Sequence, residues 1–281
     1  MKHKLLALDM DGTLLNSDLK ISQENKMVIE ELKEKGVVVT IATGRTYPAI
    51  IAYARELNID VPIIAYNGGI IKYLHNNRII YSNNIPVEQC INTIDICKEF
   101  DVDCYLYSEN KIFIEKQGFL LEFYEEINKN LKEKEKIEIV NVKDMKKSLK
   151  EDPKIYKIVV FSDNSNAVSE VRKKLLKEGN LEVYKSSDCF LDVTNKGASK
   201  GFGVKKLAEY LGIDKEKIIA VGDSDNDISM IKYAGLGIAM GNAIDEAKKV
   251  ADYVTEANND NGVANAIRKL VLKEKESYGL I

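Results

Sequence analysis

A chain of 281 residues, 45% apolar and 30% charged, has the composition of a globular protein and the length for about two domains. The 41 Lys and Arg against 44 Asp and Glu leave a net charge of −3, so no basic field points to nucleic acid, and runs such as LKEKEKIE (131–138) read as solvated faces. No stretch reaches the ~18 apolar residues of a membrane span, and MKHKLLALDMDG is too short in apolar run for a signal peptide and lacks a small-residue cleavage site; a cytoplasmic protein is expected.

The first segment alternates strand and helix. KLLALDM (4–10) is a short apolar strand, and SQENKMVIEELKEKG (22–36) has a serine cap, helical apolar spacing and a closing glycine. GVVVTIATG (36–44) is a β-branched run, followed by the helical YPAIIAYAREL (47–57) and the strand PIIAYNGG (62–69). Continuous apolar strands alternating with helices predict a parallel sheet covered on both faces. GIIKY and RIIYS, joined through LHNN, read as a hairpin.

From about residue 85 to 187 the pattern changes. PVEQCINTIDICKEF reads as a helix, DCYLYS and KIFIE as paired strands around SEN, then a Lys/Glu-rich helical stretch, the strand KIYKIVVF (154–161), a helix to about 178 and the strand LEVYK (181–185). Turn-paired strands with helices imply an α+β insert. The alternation then resumes: GASKGFGVKKLAEYLGI as a helix, KIIAVGDSDND as a strand into a loop, GLGIAM and ADYVT as strands, and NGVANAIRKLVLKEKES as a last helix. The expected organisation is a parallel-sheet domain of residues 1–84 and 188–281, interrupted by a second domain at 85–187.

Cys90, Cys97, Cys104 and Cys189 form no CxxC pair; Cys90 and Cys97, seven apart, share a helix face and read as buried reduced thiols. With only His3 and His75 in the chain, acid–base chemistry falls to carboxylates. In parallel α/β sheets ligands bind at the carboxyl ends of strands. Four such ends are polar here: Asp9-Met10-Asp11-Gly12-Thr13, Thr43-Gly44-Arg45, Asn67-Gly68-Gly69 and Asp223-Ser224-Asp225-Asn226-Asp227. Bringing Asp9, Asp11, Asp223 and Asp227 together requires a cation, and carboxylate, carbonyl and water oxygens suit Mg²⁺. An aspartate can itself be a nucleophile that forms an aspartyl phosphate, and phosphoryl transfer asks for positioned donors such as Thr43 and Gly44.

DMDGT, ATGR, SKG and GDSDND, in that order and with the long insert between the second and third, resemble the four motifs of the haloacid dehalogenase (HAD) superfamily. The insert resembles the C2B cap of its Cof-type sugar-phosphatase branch, subfamily IIB; YNGG, GIAMGNA and DYVTEANNDNGVANAIRKL extend the likeness along the chain. The resemblance implies an α/β fold, a Rossmann-like parallel-sheet core with an inserted α+β cap. It implies Asp9 as nucleophile and Mg²⁺ ligand, and Asp11 as general acid/base with its main-chain carbonyl on the metal. It implies Thr43, Lys200, Asn226 and the main-chain amides of Met10 and Gly44 at the phosphate, Asp223 as a metal ligand, and Asp227 behind the metal's water shell.

Plainer readings stand beside these. Lys196 rivals Lys200, since NKGASKG offers Lys-Gly twice, but the family pattern favours Lys200 and leaves Lys196 as a loop charge; Arg45 either binds substrate or pairs with an acid; Asn67-Gly68-Gly69 reads as a turn before a contact, Asp225 as a cap or solvated residue, and Tyr105, Tyr107, Tyr124, Tyr156 and Tyr184 as core or half-buried sheet before the lining of a substrate pocket. The expected activity is Mg²⁺-dependent hydrolysis of small phosphorylated metabolites, sugar phosphates or similar, by a monomer or weak homo-oligomer. A phosphomutase and a non-enzymatic Mg²⁺/phosphate-binding switch are the alternatives. The acid at position 11 favours turnover over a switch, because receiver domains lack it.

Overall fold

The computed structural model describes residues 1–116, 119–129, 131–151 and 153–272. Its centre is a five-stranded, all-parallel sheet in the order Tyr253–Val254, Leu236–Ala239, Ile218–Gly222, Leu5–Leu8, Val38–Ile41. The Leu5–Leu8 and Ile218–Gly222 strands are buried along their whole length, as expected where helices cover both faces. Leu6 and Leu8 pack with Ile219, Val221 and Ile41 on one face, while Leu5 and Ala7 pack with Ile218 and Ala220 on the other. That split follows from the two-residue period of a strand.

Register positions the chemistry. Leu8 lies opposite Val221 on one side and Ile41 on the other, so all three strands end at one level. Asp9, Thr43 and Asp223 therefore leave the sheet together at its carboxyl edge.

The strand expected at 62–69 departs from the predicted sheet. Ile63–Ala65 joins the parallel sheet only through a bridge between Ala42 and Ile64, and instead pairs antiparallel with Ile70–Lys72, which pairs in turn with Ile79–Ser82. The cause is local: Tyr66 and Asn67 both adopt left-handed φ of 53° and turn the chain back on itself. The predicted 70s hairpin is present as the second half of this small sheet.

The insert is built on a six-stranded sheet in the order Leu181–Lys185, Phe190–Asn195, Lys157–Phe161, Asp103–Tyr107, Lys111–Ile114, Glu138–Asn141. Its last pair is parallel and the others are antiparallel. Phe190–Asn195, placed by the sequence with the core after residue 187, belongs to this sheet. Glu138–Asn141, hidden by its Lys/Glu-rich surroundings, is an exposed edge strand following the helix Phe119–Lys129. One sheet face, with Leu106, Ile158, Val160, Leu191 and Val193, packs on the helices Val87–Glu99 and Ser165–Glu178 through Cys90, Ile94, Cys97, Val168 and Val171. Both helical cysteines are buried free thiols, as expected. The alternate residues Tyr105, Tyr107 and Val159 point the other way and join the cluster that contains Tyr47 and Tyr66. This face of the insert therefore covers the carboxyl edge of the parallel sheet.

The final helix runs Gly262–Ile267 and continues as a wider turn over Arg268–Leu272; the predicted extension through KEKES lies outside the described residues. Among the described residues no helix is long and apolar enough to cross a membrane.

Candidate active site

Asp9 follows the first strand directly and is 3% exposed. Lys200 reaches it from a different element, the first residue of the helix Lys200–Leu211, whose cap Ser199 accepts from the Phe202 amide at 3.1 Å. A cation at a helix start opposes the helix dipole. Two carboxylates more than offset this: Lys200 Nζ donates to Asp9 Oδ1 and to Asp227 Oδ1, both at 2.6 Å. Gly201 allows the helix to start this close to the helix Ile228–Tyr233, since a Cβ there would lie 2.4 Å from the Ser229 carbonyl.

Asp227 is fully buried, and its Oδ2 accepts from the amides of Asp223 (3.0 Å) and Ser224 (2.9 Å). Thr13 Oγ1 donates to Asp223 Oδ1 at 2.9 Å. Between them Gly12 turns with φ +75°, where a Cβ would meet Asp223 Oδ2 at 2.5 Å, so the DMDGT loop needs glycine for conformation and for space. One carboxylate oxygen from each of Asp9, Asp223 and Asp227 lies within 4.8 Å of the others.

Such crowding has electrostatic consequences. Burial first, then Asp227, Asp223 and Asp11, push the Asp9 carboxyl well above the usual range against the pull of Lys200. Burial and Asp227 raise Asp223 to about 6. Burial alone would lower the Lys200 pKa, yet Asp227 and Asp9 together hold it above its ordinary value, so this lysine is charged. The donor set is all hard oxygen with an excess of negative charge, which fits Mg²⁺.

Asp11, two residues on, is exposed, and Arg45 holds it by a two-pronged pair: Nε to Oδ2 at 2.8 Å and Nη2 to Oδ1 at 2.5 Å. Arg45 therefore pairs with an acid, one of its two sequence readings. Thr43 is buried, and its hydroxyl accepts from the Arg45 amide at 3.2 Å. Lys196 is exposed and donates to the Gly179 carbonyl, away from the acidic cluster, as its reading as a loop charge anticipated. Asp225 is partly exposed in the short turn Asp225–Asp227.

These loops open into a cavity of about 450 Å³ lined by Asp9, Asp11, Thr43, Gly44, Arg45, Lys200 and Asn226 from below. From above, the lining comes from the insert: Phe123, Tyr124, Lys157, Tyr184 and Asp192. Of the five tyrosines noted in the insert, Tyr105, Tyr107, Tyr124 and Tyr156 are buried, and Tyr124 and Tyr184 also face this cavity. Lys157 and Asp192 were not singled out by sequence. Lys157 Nζ lies 3.2 Å from Asp192 Oδ1 and donates to the Gly44 carbonyl at 2.8 Å, crossing from the six-stranded sheet to the ATGR loop. Asn67 is both a left-handed turn residue and a contact, donating to Asp192 Oδ2 at 3.2 Å and accepting from Asn226 Nδ2 at 2.9 Å.

An apolar parallel strand ending in two acids, a buried lysine between carboxylates, and a roofed cavity above them define a hydrolase site of the HAD kind. The family model of haloacid dehalogenase-like hydrolases matches residues 6–267, and the chain belongs to that family. A relative in Bacillus subtilis, 5-amino-6-(5-phospho-D-ribitylamino)uracil phosphatase YcsE, is 36% identical over 269 residues, 96% of each chain. A solved haloacid dehalogenase-like hydrolase of B. subtilis superposes with a TM-score of 0.84 at 27% identity, over 95% of this chain and 100% of that one. The HAD subclass IIB sugar phosphatase BT4131 superposes with a TM-score of 0.80 at 28% identity, over 94% and 98%. Within the family the chain falls with the Cof-type, subclass IIB phosphatases.

Proposed function

We propose that the protein is a Mg²⁺-dependent phosphatase that hydrolyses small phosphorylated metabolites, sugar phosphates or related polyol phosphates, through an aspartyl-phosphate intermediate on Asp9. The observation that carries this reading is the buried Asp9 carboxylate facing the cavity, with Lys200 on one oxygen and Asp223 and Asp227 beside it. The names of the relatives, a ribitylaminouracil phosphatase and a sugar phosphatase, support the substrate class.

In this reading Asp9, Asp223 and the Asp11 main-chain carbonyl would hold Mg²⁺, and Asp227 would fix the loop behind them. The ion would supply charge neutralisation of carboxylate and phosphoryl oxygens, so that two anions could meet. The chain's own groups do the rest. Asp9 attacks phosphorus and forms the P–O bond of the acyl phosphate, while the P–O bond to the leaving alcohol breaks. Asp11, protonated for this step and so released from its two-pronged pair with Arg45, gives that alcohol its proton. Asp11, now a carboxylate, takes a proton from water, whose oxygen attacks the same phosphorus and releases phosphate and Asp9. Lys200, Thr43, Asn226 and the amides of Met10 and Gly44 stabilise the charge on the transferring group. The face of the insert above excludes bulk water and meets the leaving group.

The test is hydrolysis of p-nitrophenyl phosphate and a panel of phosphorylated metabolites, with and without Mg²⁺. Turnover should require Mg²⁺, be abolished by chelation and be lost in a folded Asp9→Asn variant. Full activity in that variant overturns the assignment.

A further inference from the structure

Asp192 lies on the six-stranded sheet, yet it ends a chain of polar contacts that reaches the phosphate side of the cavity. Its two oxygens have separate partners: Oδ1 faces Lys157 Nζ at 3.2 Å, and Oδ2 accepts from Asn67 Nδ2 at 3.2 Å. Asn67 Oδ1 accepts from Asn226 Nδ2 at 2.9 Å. Asn67 and Asp192 are at most 8% exposed, and Asn226 lines the cavity. The contacts span residues 125 and 159 apart in sequence, so neither is a by-product of local turn geometry. Gly44 belongs to the same arrangement. A Cβ there would stand 2.8 Å from Asn67 Oδ1 and 3.1 Å from Asp192 Oδ2, so the ATGR glycine leaves room for both groups.

A carboxamide can be turned either way, and what decides is the partner at its far end. A carboxylate only accepts. Facing Asp192, Asn67 must present its amino group, which turns its oxygen toward Asn226. Asn226 must then present its own amino group to Asn67. That group carries a second hydrogen, available to an oxygen in the cavity. Were the chain reversed, Asn226 would offer a lone pair to a phosphoryl oxygen, which repels.

We propose that Asp192 is a positioning residue: its acceptor-only carboxylate fixes the Asn67 and Asn226 carboxamides so that Asn226 donates to the phosphoryl group. The phosphate side of the site is thereby competent only while the six-stranded sheet is seated on it, since Asp192 belongs to that sheet and Asn67 and Asn226 to the loops below. This rests on the phosphatase reading, in which Asn226 meets phosphate.

Asp192→Asn supplies a sharp test. The new side chain has one oxygen, and the charged Lys157 claims it, so the amino group turns to Asn67 and reverses the chain. The probe is inorganic phosphate, its binding measured by calorimetry in Mg²⁺ for four proteins: unaltered, Asp192→Asn, Asn226→Ala and the double variant, with thermal unfolding reporting on the fold. Loss of a hydrogen bond to a charged group is worth about tenfold or more in affinity. Asp192→Asn should weaken phosphate by about that factor where Asn226 is present and less than about twofold where it is alanine, the signature of one residue acting through another. Equal loss in both backgrounds, or none in either, overturns the role of Asp192. No phosphate binding by the unaltered protein overturns the reading of the site itself. If Asp192→Asn does not fold, Asn67→Thr cuts the chain at its middle and carries the same cycle: loss only where Asn226 is present supports the role, and equal loss or none overturns it.

Discussion

Lys200→Met is the substitution that most directly probes why this site holds together. Lys200 is 2% exposed, and its ammonium donates to Asp9 and Asp227 at 2.6 Å each. At an effective dielectric of about 20, each contact represents roughly 6 kcal/mol of gross attraction. Desolvation of three buried charged groups cancels most of it, and removing one partner of a buried pair typically costs about 3–5 kcal/mol. The upper part of that range applies here, because the change leaves three carboxylates within 4.8 Å of one another with no cation between them. Against a total stability of about 5–15 kcal/mol, the loss is large. Methionine matches the stem of lysine, so little of the effect comes from a cavity. In Mg²⁺-free buffer at pH 7.5, urea unfolding should show a loss of about 3–5 kcal/mol. Part of it should return when Mg²⁺ is added, and part when Asp9→Asn is combined with the change, since either removes negative charge. A loss below about 1 kcal/mol, insensitive to Mg²⁺ and to Asp9→Asn, would refute the view that Lys200 acts by neutralising this cluster.

Two further outcomes follow from the same geometry. Gly44→Ala drives a methyl to 2.8 Å from Asn67 Oδ1; overpacking of this kind costs about 1–3 kcal/mol, and phosphate affinity should fall with the thermal midpoint in the one variant. The acidic cluster also sets a pH dependence. Asp223 is raised to about 6 in the folded, metal-free protein, above its value in an unfolded chain. A raised carboxyl favours folding below the unfolded pKa, and that advantage is lost as pH rises through the folded value. Stability without metal should therefore fall between about pH 4 and pH 6 through this group. Thermal shift on adding Mg²⁺ should be larger at pH 7.5 than at pH 5, and equal shifts would count against a metal held by these carboxylates.

The floor of the site was legible in sequence and its roof was not, for a physical reason. Asp9, Thr43 and Asp223 sit at strand ends, where hydrophobic runs stop and a polar residue has nowhere else to be in a parallel sheet, whereas Lys200, at a helix start, was legible only through the resemblance of SKG to a family motif. Asp192 and Lys157 stand inside strands, in FLDVTN and KIYKIVVF, where alternation with Leu191, Val193 and Ile158 marks them as the non-core side. In an antiparallel sheet that side is ordinarily wet. Only the topology reveals that it faces the parallel sheet, so both residues read as solvated until the two sheets are brought together. Asn67 was half legible: its left-handed turn follows from Tyr-Asn-Gly, but its side-chain partners lie at 192 and 226. The edge strand Glu138–Asn141 was missed because an exposed edge next to a Lys/Glu-rich stretch carries little apolar signal.

In the proposed mechanism the two aspartates of DMDGT divide two roles within one short loop. They are two residues apart, yet Asp9 is 3% exposed between Lys200 and the acidic cluster, while Asp11 is exposed and held by the Arg45 guanidinium. A buried nucleophile needs a fixed cation, here Lys200, to oppose the burial that raises its carboxyl, and shielding from bulk water; an acid–base group that passes protons to alcohol and from water needs access to both. The strand sets the first condition by ending in the buried sheet edge, and the turn at Gly12 sets the second by lifting the chain out of it. Exchange of the two environments would serve neither role. A longer spacing would carry the second carboxylate away from an ester oxygen bound at the first. In the i, i+2 arrangement both groups line one cavity, and the division of labour follows from burial rather than from residue type.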